Sequence, residues 1–235
     1  MPFARTTPLL PSGADLDQAM RSIGLRVGRG EPHKGMSSDI ELVLAAVACE
    51  ALPKDYRLLG VLAAWLELHH ARVNVPRLGR ILRHASSDVL VLAWWGAVGH
   101  WLAKEDIRWR ALERLYEGPR LDLDDPEITA LQVELGGEDP RFAGGPLRVH
   151  AKLLRSRASD VEQPHELATH HPLYLRRVQF GPSYRADVWA ALDAEPHATP
   201  AQIARRVGCA YETARVVAMD WHVAQQATRN LRRSA

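Results

Sequence analysis

Eleven histidines in 235 residues form one group of side chains that could bind a metal or transfer a proton. A neutral imidazole is a common metal ligand, and its proton exchanges near neutral pH. The closest groupings are His69 with His70, and His165 with His170 and His171. Adjacent side chains on a helix point about 100° apart, so they cannot chelate one ion as a pair four residues apart would. The histidines therefore predict no metal site.

Carboxylates are the second group that could bind a cation. Four of them fall within six residues: Asp122, Asp124, Asp125 and Glu127. A calcium loop needs alternating acidic residues, a glycine at the sixth position and a glutamate at the twelfth. This segment lacks that pattern, so we again predict no metal.

Catalytic motifs are missing from the sequence. It contains no HExxH zinc motif, no Walker loop, no GxGxxG and no GxSxG nucleophile elbow. Cys49 and Cys209 lie far apart, and neither belongs to a CxxC pair. A disulfide framework or zinc knuckle is thus unsupported, and a reducing cytoplasm is the simplest compartment. We predict no cofactor and no enzymatic activity.

Length and composition indicate a folded protein of one large or two modest domains. The apolar fraction is 46% and the charged fraction 25%, as in ordinary globular proteins. The most apolar run extends from Val89 to Ala103, is interrupted by His100, and is shorter than the roughly 20 residues that a membrane-spanning helix needs. The sequence predicts no membrane segment.

The elements that must position any functional residue are mainly α-helices. Residues 1–37 are rich in Pro, Gly and Ser and predict a flexible arm with one short helix, Leu16 to Ile23. Between residues 38 and 117, apolar side chains recur every three or four positions, which predicts a Trp-rich helical bundle.

The second half of the chain changes in charge. Residues 118–145 form an acidic connector with a helix predicted from Pro126 or Glu127 to Leu135. Residues 146–235 form a basic C-terminal domain, in which the segment PLRVHAKLLRSR predicts a basic helix and Leu173 to Phe180 permits a short strand. Thirteen Lys and Arg face eight Asp and Glu in residues 146–235, a surplus of five positive charges. Such a surplus suits a module that contacts phosphates, although an Arg-rich surface also serves solubility alone.

Three helices are predicted within residues 184–224. The first extends from Tyr184 to Ala194. Thr199 can cap the second, Pro200 suits its first position, and Gly208 can adopt the left-handed turn that follows Val207. The third helix is predicted from Tyr211 to about Ala224. The residues predicted to point inward are Ile203, Ala204 and Val207 on the second helix, and Ala214, Val217 and Trp221 on the third.

Residues Thr199 to Trp221 resemble the helix-turn-helix superfamily of bacterial DNA-binding regulators. The positions that match its apolar and turn pattern are Ile203, Ala204, Val207, Gly208, Cys209 and Val217. Two positions depart from it: Ala210 stands where a Ser or Thr cap is common, and Ala214 where Val or Ile is usual.

The resemblance implies that the solvent face of the third helix contacts DNA bases. That face consists of Tyr211, Glu212, Thr213, Arg215 and Met219. Arg215 would pair with a guanine edge and Glu212 would accept from cytosine, while Thr213 or Tyr211 would reach a phosphate or a thymine methyl. The residues assigned to backbone phosphates are Arg185, Arg205 and Arg206.

The sequence thus favours a cytoplasmic transcriptional regulator that binds double-stranded DNA as a homodimer, because one such helix covers only a few base pairs. Repression is the implied role, and autoregulation of a defence or toxin-antitoxin operon is a guess without residue support. The alternative is a protein-interaction adaptor whose trihelical end docks on another protein, and the helical N-terminal domain could also bind a protein partner.

Overall fold

The computed structural model describes residues 9–27, 38–52 and 54–234, with side chains as far as Leu231. This part of the chain is mainly helical, as predicted, with twelve α-helices and one small two-stranded sheet. The chain divides into two compact units, Met1–Glu166 and Leu167–Ala235. The division falls at Glu166, whereas the change in charge suggested Gly145.

The first unit contains most of the helices. In chain order they are α1 (Gly13–Ser22), α2 (Ile40–Ala51), α3 (Tyr56–His69), α4 (Val75–Ala85), α5 (Val89–Leu102), α6 (Arg110–Glu113) and α7 (Pro126–Gly136). Short polar side chains begin several of them by accepting first-turn N–H groups, among them Asp39, Asp55, Asn74, Asp88 and Asp125.

Helix α5 is apolar on nearly every side and lies in the core of the first unit. Trp94 and Trp95 are fully buried, and Trp101 is nearly so. The ring of Phe142 lies 5.3 Å from that of Trp94 and 5.8 Å from that of Trp101. Phe142 belongs to the segment predicted as a connector, so that segment packs into the core of the first unit.

The predicted basic helix after Gly145 is wrong. Residues Leu147–Arg148 form strand β2, which pairs in parallel with β1 (Leu121–Asp122). Leu147 and Val149 are buried while Arg148 between them is partly exposed, the alternation of a strand. The Arg148 guanidinium also binds the Asp122 carboxylate at 2.9 Å, which pins the register of the two strands.

Residues 13–25 do not form the flexible arm that was expected at the N-terminus. Leu16, Met20, Ile23 and Leu25 are buried, and the Trp65 indole N–H donates to the Ile23 carbonyl at 2.7 Å. Buried apolar side chains fix this segment to the first unit. The remainder of the predicted arm lies largely outside the described residues.

The second unit begins within α8 (Pro164–His170) and continues through α9 (Pro172–Phe180), α10 (Tyr184–Ala194), α11 (Pro200–Val207) and α12 (Tyr211–Ser234). Helix α9 contradicts the short strand predicted there. His171 accepts the Tyr174 N–H at 3.1 Å and Pro172 occupies the first position, both of which favour a helix. The Arg177 side chain is fully buried and donates to Asp187 of α10 at 2.9 Å, which ties the two helices together.

Candidate nucleic-acid interface

Helices α10, α11 and α12 pack around one hydrophobic cluster. It contains Val188 and Leu192 of α10 together with every residue of α11 and α12 that was predicted to point inward. The prediction of those inward positions is therefore confirmed. The Trp221 indole N–H donates to Asp193 of α10 at 2.8 Å, so one of the two tryptophans of the cluster is also oriented by a hydrogen bond.

The start of α11 is fixed by two side chains. Thr199 Oγ1 accepts the Gln202 N–H at 3.4 Å, and Gln202 Oε1 accepts the Thr199 N–H at 2.8 Å. Thr199 was predicted as the cap and is confirmed. Gln202 was missed, although a threonine followed three residues later by glutamine is the sequence signature of this reciprocal cap.

Gly208 makes the turn between α11 and α12. Its φ of 74° and ψ of 29° are left-handed, and the Gly208 and Cys209 N–H groups both donate to the Ala204 carbonyl, at 2.9 and 3.1 Å. A Cβ at position 208 would meet nothing within 4 Å. Glycine is therefore favoured here by backbone conformation and not by lack of space.

The face of α12 predicted to read bases is exposed. Tyr211, Glu212, Arg215 and Met219 lie in solvent and Thr213 is half-buried. The opposite face of the same helix is buried in the cluster. The structure thus leaves four of the five predicted side chains exposed and the fifth half-buried.

Arg215 and Glu212 bind each other on that face. Arg215 Nη2 and Nε donate to the two Glu212 carboxylate oxygens at 2.6 and 3.0 Å, and Nη1 lies 3.3 Å from the Met219 sulfur. The hydrogen bonds from Arg215 lower the pKa of Glu212, and the same bonds raise the pKa of Arg215. Both side chains therefore stay charged at neutral pH, and the guanidinium is held by its neighbour.

The three arginines predicted to contact phosphates differ in their surroundings. Arg206 donates to Glu195 at 2.7 Å, which lowers the pKa of that carboxyl. Arg185 donates to Asp220 at 2.8 Å and lies over the rings of Phe180 and Trp189. Arg205 contacts only a backbone carbonyl, that of Ala201 at 3.4 Å, and forms no ion pair within the described part of the chain.

Charge in the second unit is distributed unevenly. Residues 167–235 contain nine arginines and five carboxylates. Each carboxylate binds a different arginine, in the pairs Arg177–Asp187, Arg176–Asp193, Arg206–Glu195, Arg215–Glu212 and Arg185–Asp220. Arg205 and Arg229 have no carboxylate partner among the described residues, so the positive surplus lies on α11 and on the end of α12.

Helix α12 is longer than predicted. It was expected to end near Ala224, where contact with the cluster ends, but it continues to Ser234. No Gly or Pro interrupts the sequence after Tyr211, and Ala, Gln and Arg are good helix formers. The apolar side chains Val216, Met219, Val223 and Leu231 are exposed along it. Of these four, Met219 was assigned to the base-reading face, and Leu231 lies beyond the predicted end of the helix.

The described residues offer neither a cluster of metal ligands nor a membrane-spanning helix. They contain no group of three or more His, Cys, Asp or Glu side chains placed to hold a metal ion. None of their helices combines the length and the apolar character needed to cross a membrane.

Comparison of the chain with protein-family models, with curated proteins and with solved structures finds no match.

Proposed function

We propose that residues 184–224 form a helix-turn-helix module that binds duplex DNA, attached to an N-terminal helical bundle, and that the chain is a transcriptional repressor acting as a homodimer. The observation that carries the proposal is the pair α11 and α12, joined by the left-handed Gly208, with a buried apolar face and an exposed polar face on α12. A helix that enters the major groove needs this combination.

The exposed ion pairs support the proposal because their arginines can exchange a carboxylate partner for a DNA phosphate. A surface pair contributes only about 0 to 1 kcal/mol, since water screens both charges. An arginine that leaves such a carboxylate for a DNA phosphate gains charge-assisted hydrogen bonds and releases counterions. Arg206 and Arg185 could make this exchange, and Arg205 has no carboxylate to leave.

Glu212 and Arg215 are proposed to read bases together. The Glu212 carboxylate holds the Arg215 fork on the outer face of α12, the face that would meet a groove. In a complex, Arg215 would donate to a guanine edge and Glu212 would accept from cytosine. A Glu212 carboxylate that has lost Arg215 repels DNA phosphates. It therefore favours DNA sequences in which a cytosine donates to it over sequences that offer no donor.

The decisive experiment is a gel shift over a series of salt concentrations, comparing the wild type with an Arg205→Ala, Arg206→Ala, Arg215→Ala variant. Three lost phosphate or base contacts should weaken binding and lower the slope of log affinity against log salt by up to about three. The matched control changes Arg83, Arg110 and Arg114 to Ala, which removes the same charge from exposed positions of the first unit. No DNA binding by the wild type at low salt, or equal losses in both variants, contradicts the proposal.

The homodimer is proposed from the length of α12. Beyond Ala224 the helix extends ten residues, or about 15 Å, and Val223 just before this extension and Leu231 within it are largely exposed. A second copy packed on this end would cover both side chains and leave the first turns of α12 open to DNA. Analytical ultracentrifugation should show a dimer for the wild type and a shift to monomer for Leu231→Glu. A wild type that is monomeric at all concentrations would leave this part of the proposal without support.

The alternative function, a protein-interaction adaptor, is favoured by one observation. Val216 and Met219, in the part of α12 proposed to face DNA, are also exposed apolar side chains. An apolar row on a helix is the usual surface for docking in a protein groove. The substitution Met219→Glu would then abolish partner binding, and the wild type would fail to bind DNA at any salt concentration.

A further inference from the structure

A cavity of about 420 Å³ in the first unit is partly open to solvent, and three of its six lining residues are exposed arginines. Its lining residues are Arg57, Leu153, Arg155, Ser156, Arg157 and Asp160. Pockets that hold small molecules measure roughly 300 to 1,000 Å³, so the cavity is large enough for a ligand. Three arginines and a serine hydroxyl provide donors for an anion.

The three arginines are available to a ligand. None of them forms an ion pair with a carboxylate of the described residues, whereas elsewhere in the same unit the guanidinium of Arg148 binds Asp122. The Arg155 Nε donates to the Lys152 carbonyl at 3.0 Å, which orients the side chain and leaves its two terminal nitrogens free of that bond. Asp160 carries the single negative charge among the six lining residues, so the cavity has a surplus of positive charge.

The wall of the cavity is preformed. Gly60 of α3 lies so close to residue 155 that a Cβ would be 2.6 Å from the Arg155 carbonyl oxygen. Asp160 accepts the Arg157 N–H at 2.9 Å through its carboxylate, and its carbonyl accepts the Arg26 N–H at 2.8 Å. Leu154, between the cavity residues, is buried. These contacts fix the backbone that carries Arg155 and Arg157, so binding would have to order only the exposed arginine side chains.

We propose that this cavity binds the phosphate group of a small phosphorylated molecule. Three guanidinium groups and the Asp160 carboxylate leave a net charge of about +2, which complements a phosphate monoester near its dianionic form. Guanidinium groups are suited to phosphate because they donate two parallel hydrogen bonds. The volume exceeds that of a phosphate ion and leaves room for the group that the phosphate is attached to. The proposal does not depend on DNA binding by the second unit.

Isothermal titration calorimetry of the full chain tests it, with pyrophosphate, adenosine 5′-monophosphate and adenosine as probes. Pyrophosphate and the monophosphate should bind, and adenosine should not. The variants Arg155→Gln and Arg157→Gln should each bind pyrophosphate about tenfold more weakly or worse, since each removes a charged hydrogen bond. Arg110→Gln is the matched control, because it removes an exposed arginine of the same unit that does not line the cavity. It should bind like the wild type.

Three results would overturn the proposal. The first is no binding of either phosphorylated probe, in a protein whose melting curve shows it to be folded. The second is equal loss in the control and the cavity variants. The third is weaker binding of duplex DNA by Arg155→Gln while pyrophosphate does not bind, which would make the cavity part of a nucleic-acid surface. All variants leave Arg205, Arg206 and Arg215 intact, so failure here is distinct from failure of the proposed DNA binding.

Discussion

Arg77 on α4 and Arg215 on α12 use the same chemistry in opposite surroundings. Arg77 donates to Asp39 at 2.6 Å and to Glu41 at 2.7 Å, and its side chain is 8% exposed while that of Glu41 is fully buried. Arg215 and Glu212 bind at a similar distance, but their side chains are 44% and 65% exposed. The two pairs therefore differ in burial and not in hydrogen-bond length.

The difference separates a structural ion pair from one that is available for binding. In the first unit Glu41 also accepts the Asn74 N–H at 2.8 Å, so the pair connects the start of α2 to the start of α4. Water cannot replace a lost partner there, and an uncompensated buried charge is costly. On α12 water surrounds both groups, and the pair can open at little cost. The same arginine chemistry stabilises a fold in one region and offers a surface in the other.

Removing Arg77 should have the largest effect. Arg77→Met leaves Glu41 buried beside the start of α4, and we expect a loss of about 3 to 5 kcal/mol in the free energy of unfolding. Urea unfolding followed by tryptophan fluorescence measures it. Arg206→Met, which breaks an exposed pair, should lose less than about 1 kcal/mol. Similar losses in the two variants would show that burial does not govern these pairs.

A pH titration of stability should reveal a second buried group in the first unit. Burial lowers the pKa of His69 from 6.5 to about 4, opposed in part by its hydrogen bond to the Glu162 carbonyl at 3.0 Å. Because the folded pKa lies below the unfolded value, the neutral ring stabilises the fold fully above pH 6.5, and this contribution is lost as the pH falls towards 4. The expected loss is about 3 kcal/mol.

The His69→Gln variant is the control for that titration. It should be less stable at neutral pH and lack the change between pH 6.5 and 4. The Asp106 carboxyl, whose pKa is lowered by hydrogen bonds from Arg108, also makes the stability depend on pH. Its effect falls in a separate pH range, below its ordinary pKa of 3.8. A wild-type curve that is flat between pH 6.5 and 4 would contradict the burial of a neutral His69.

Two glycines separate lack of space from backbone conformation, with effects of about 1 to 3 kcal/mol. Gly60→Ala forces a Cβ onto the Arg155 backbone, whereas Gly208→Ala has space but an unfavourable left-handed φ. Asparagine distinguishes the two causes, because it tolerates the left-handed region but is larger. Gly208→Asn should be more stable than Gly208→Ala, and Gly60→Asn less stable than Gly60→Ala. The opposite order at either position would refute the assigned cause.

The smallest effect is expected at the exposed pair itself. Glu212→Gln should leave the free energy of unfolding close to that of the wild type, since it removes one exposed pair three residues apart. It should raise affinity for non-specific DNA about twofold, because a negative charge that repels phosphates is gone and Arg215 is released. Glu67→Gln, an exposed change in the first unit, is the control for charge alone. An equal gain in both variants would remove Glu212 from the interface.

Local signals predicted much of the second unit. Thr199, Pro200 and Gly208 mark the ends of α11 through interactions within a few residues of each, so the sequence alone suffices for them. The helix α9 was missed because Tyr, Val and Phe were weighed as strand formers while His171 and Pro172, which begin it, were not. Burial of Arg177 needs Asp187 on a neighbouring helix, and no local pattern indicates that.

Contacts distant in sequence account for what the sequence could not indicate. The cavity arginines come from α3 and from the segment after β2, which approach each other closely at Gly60 and Arg155. The same holds for Phe142, whose acidic neighbourhood suggested a connector although its ring packs against Trp94. Acidic composition describes the solvent side of such a segment and says nothing about the side chain that it buries.

Helix α12 is uninterrupted, so a rotation at one of its ends is transmitted to the other. It measures about 36 Å, and its first half is fastened to the cluster while its last ten residues are not. A tilt of about 10° at the cluster would displace the far end by about 2 to 3 Å, and a push of that size on the far end would turn the exposed face of the first turns by the same angle. A partner that moved the end of α12 carrying Val223 and Leu231 would therefore also change the angle at which Tyr211, Glu212 and Arg215 are presented.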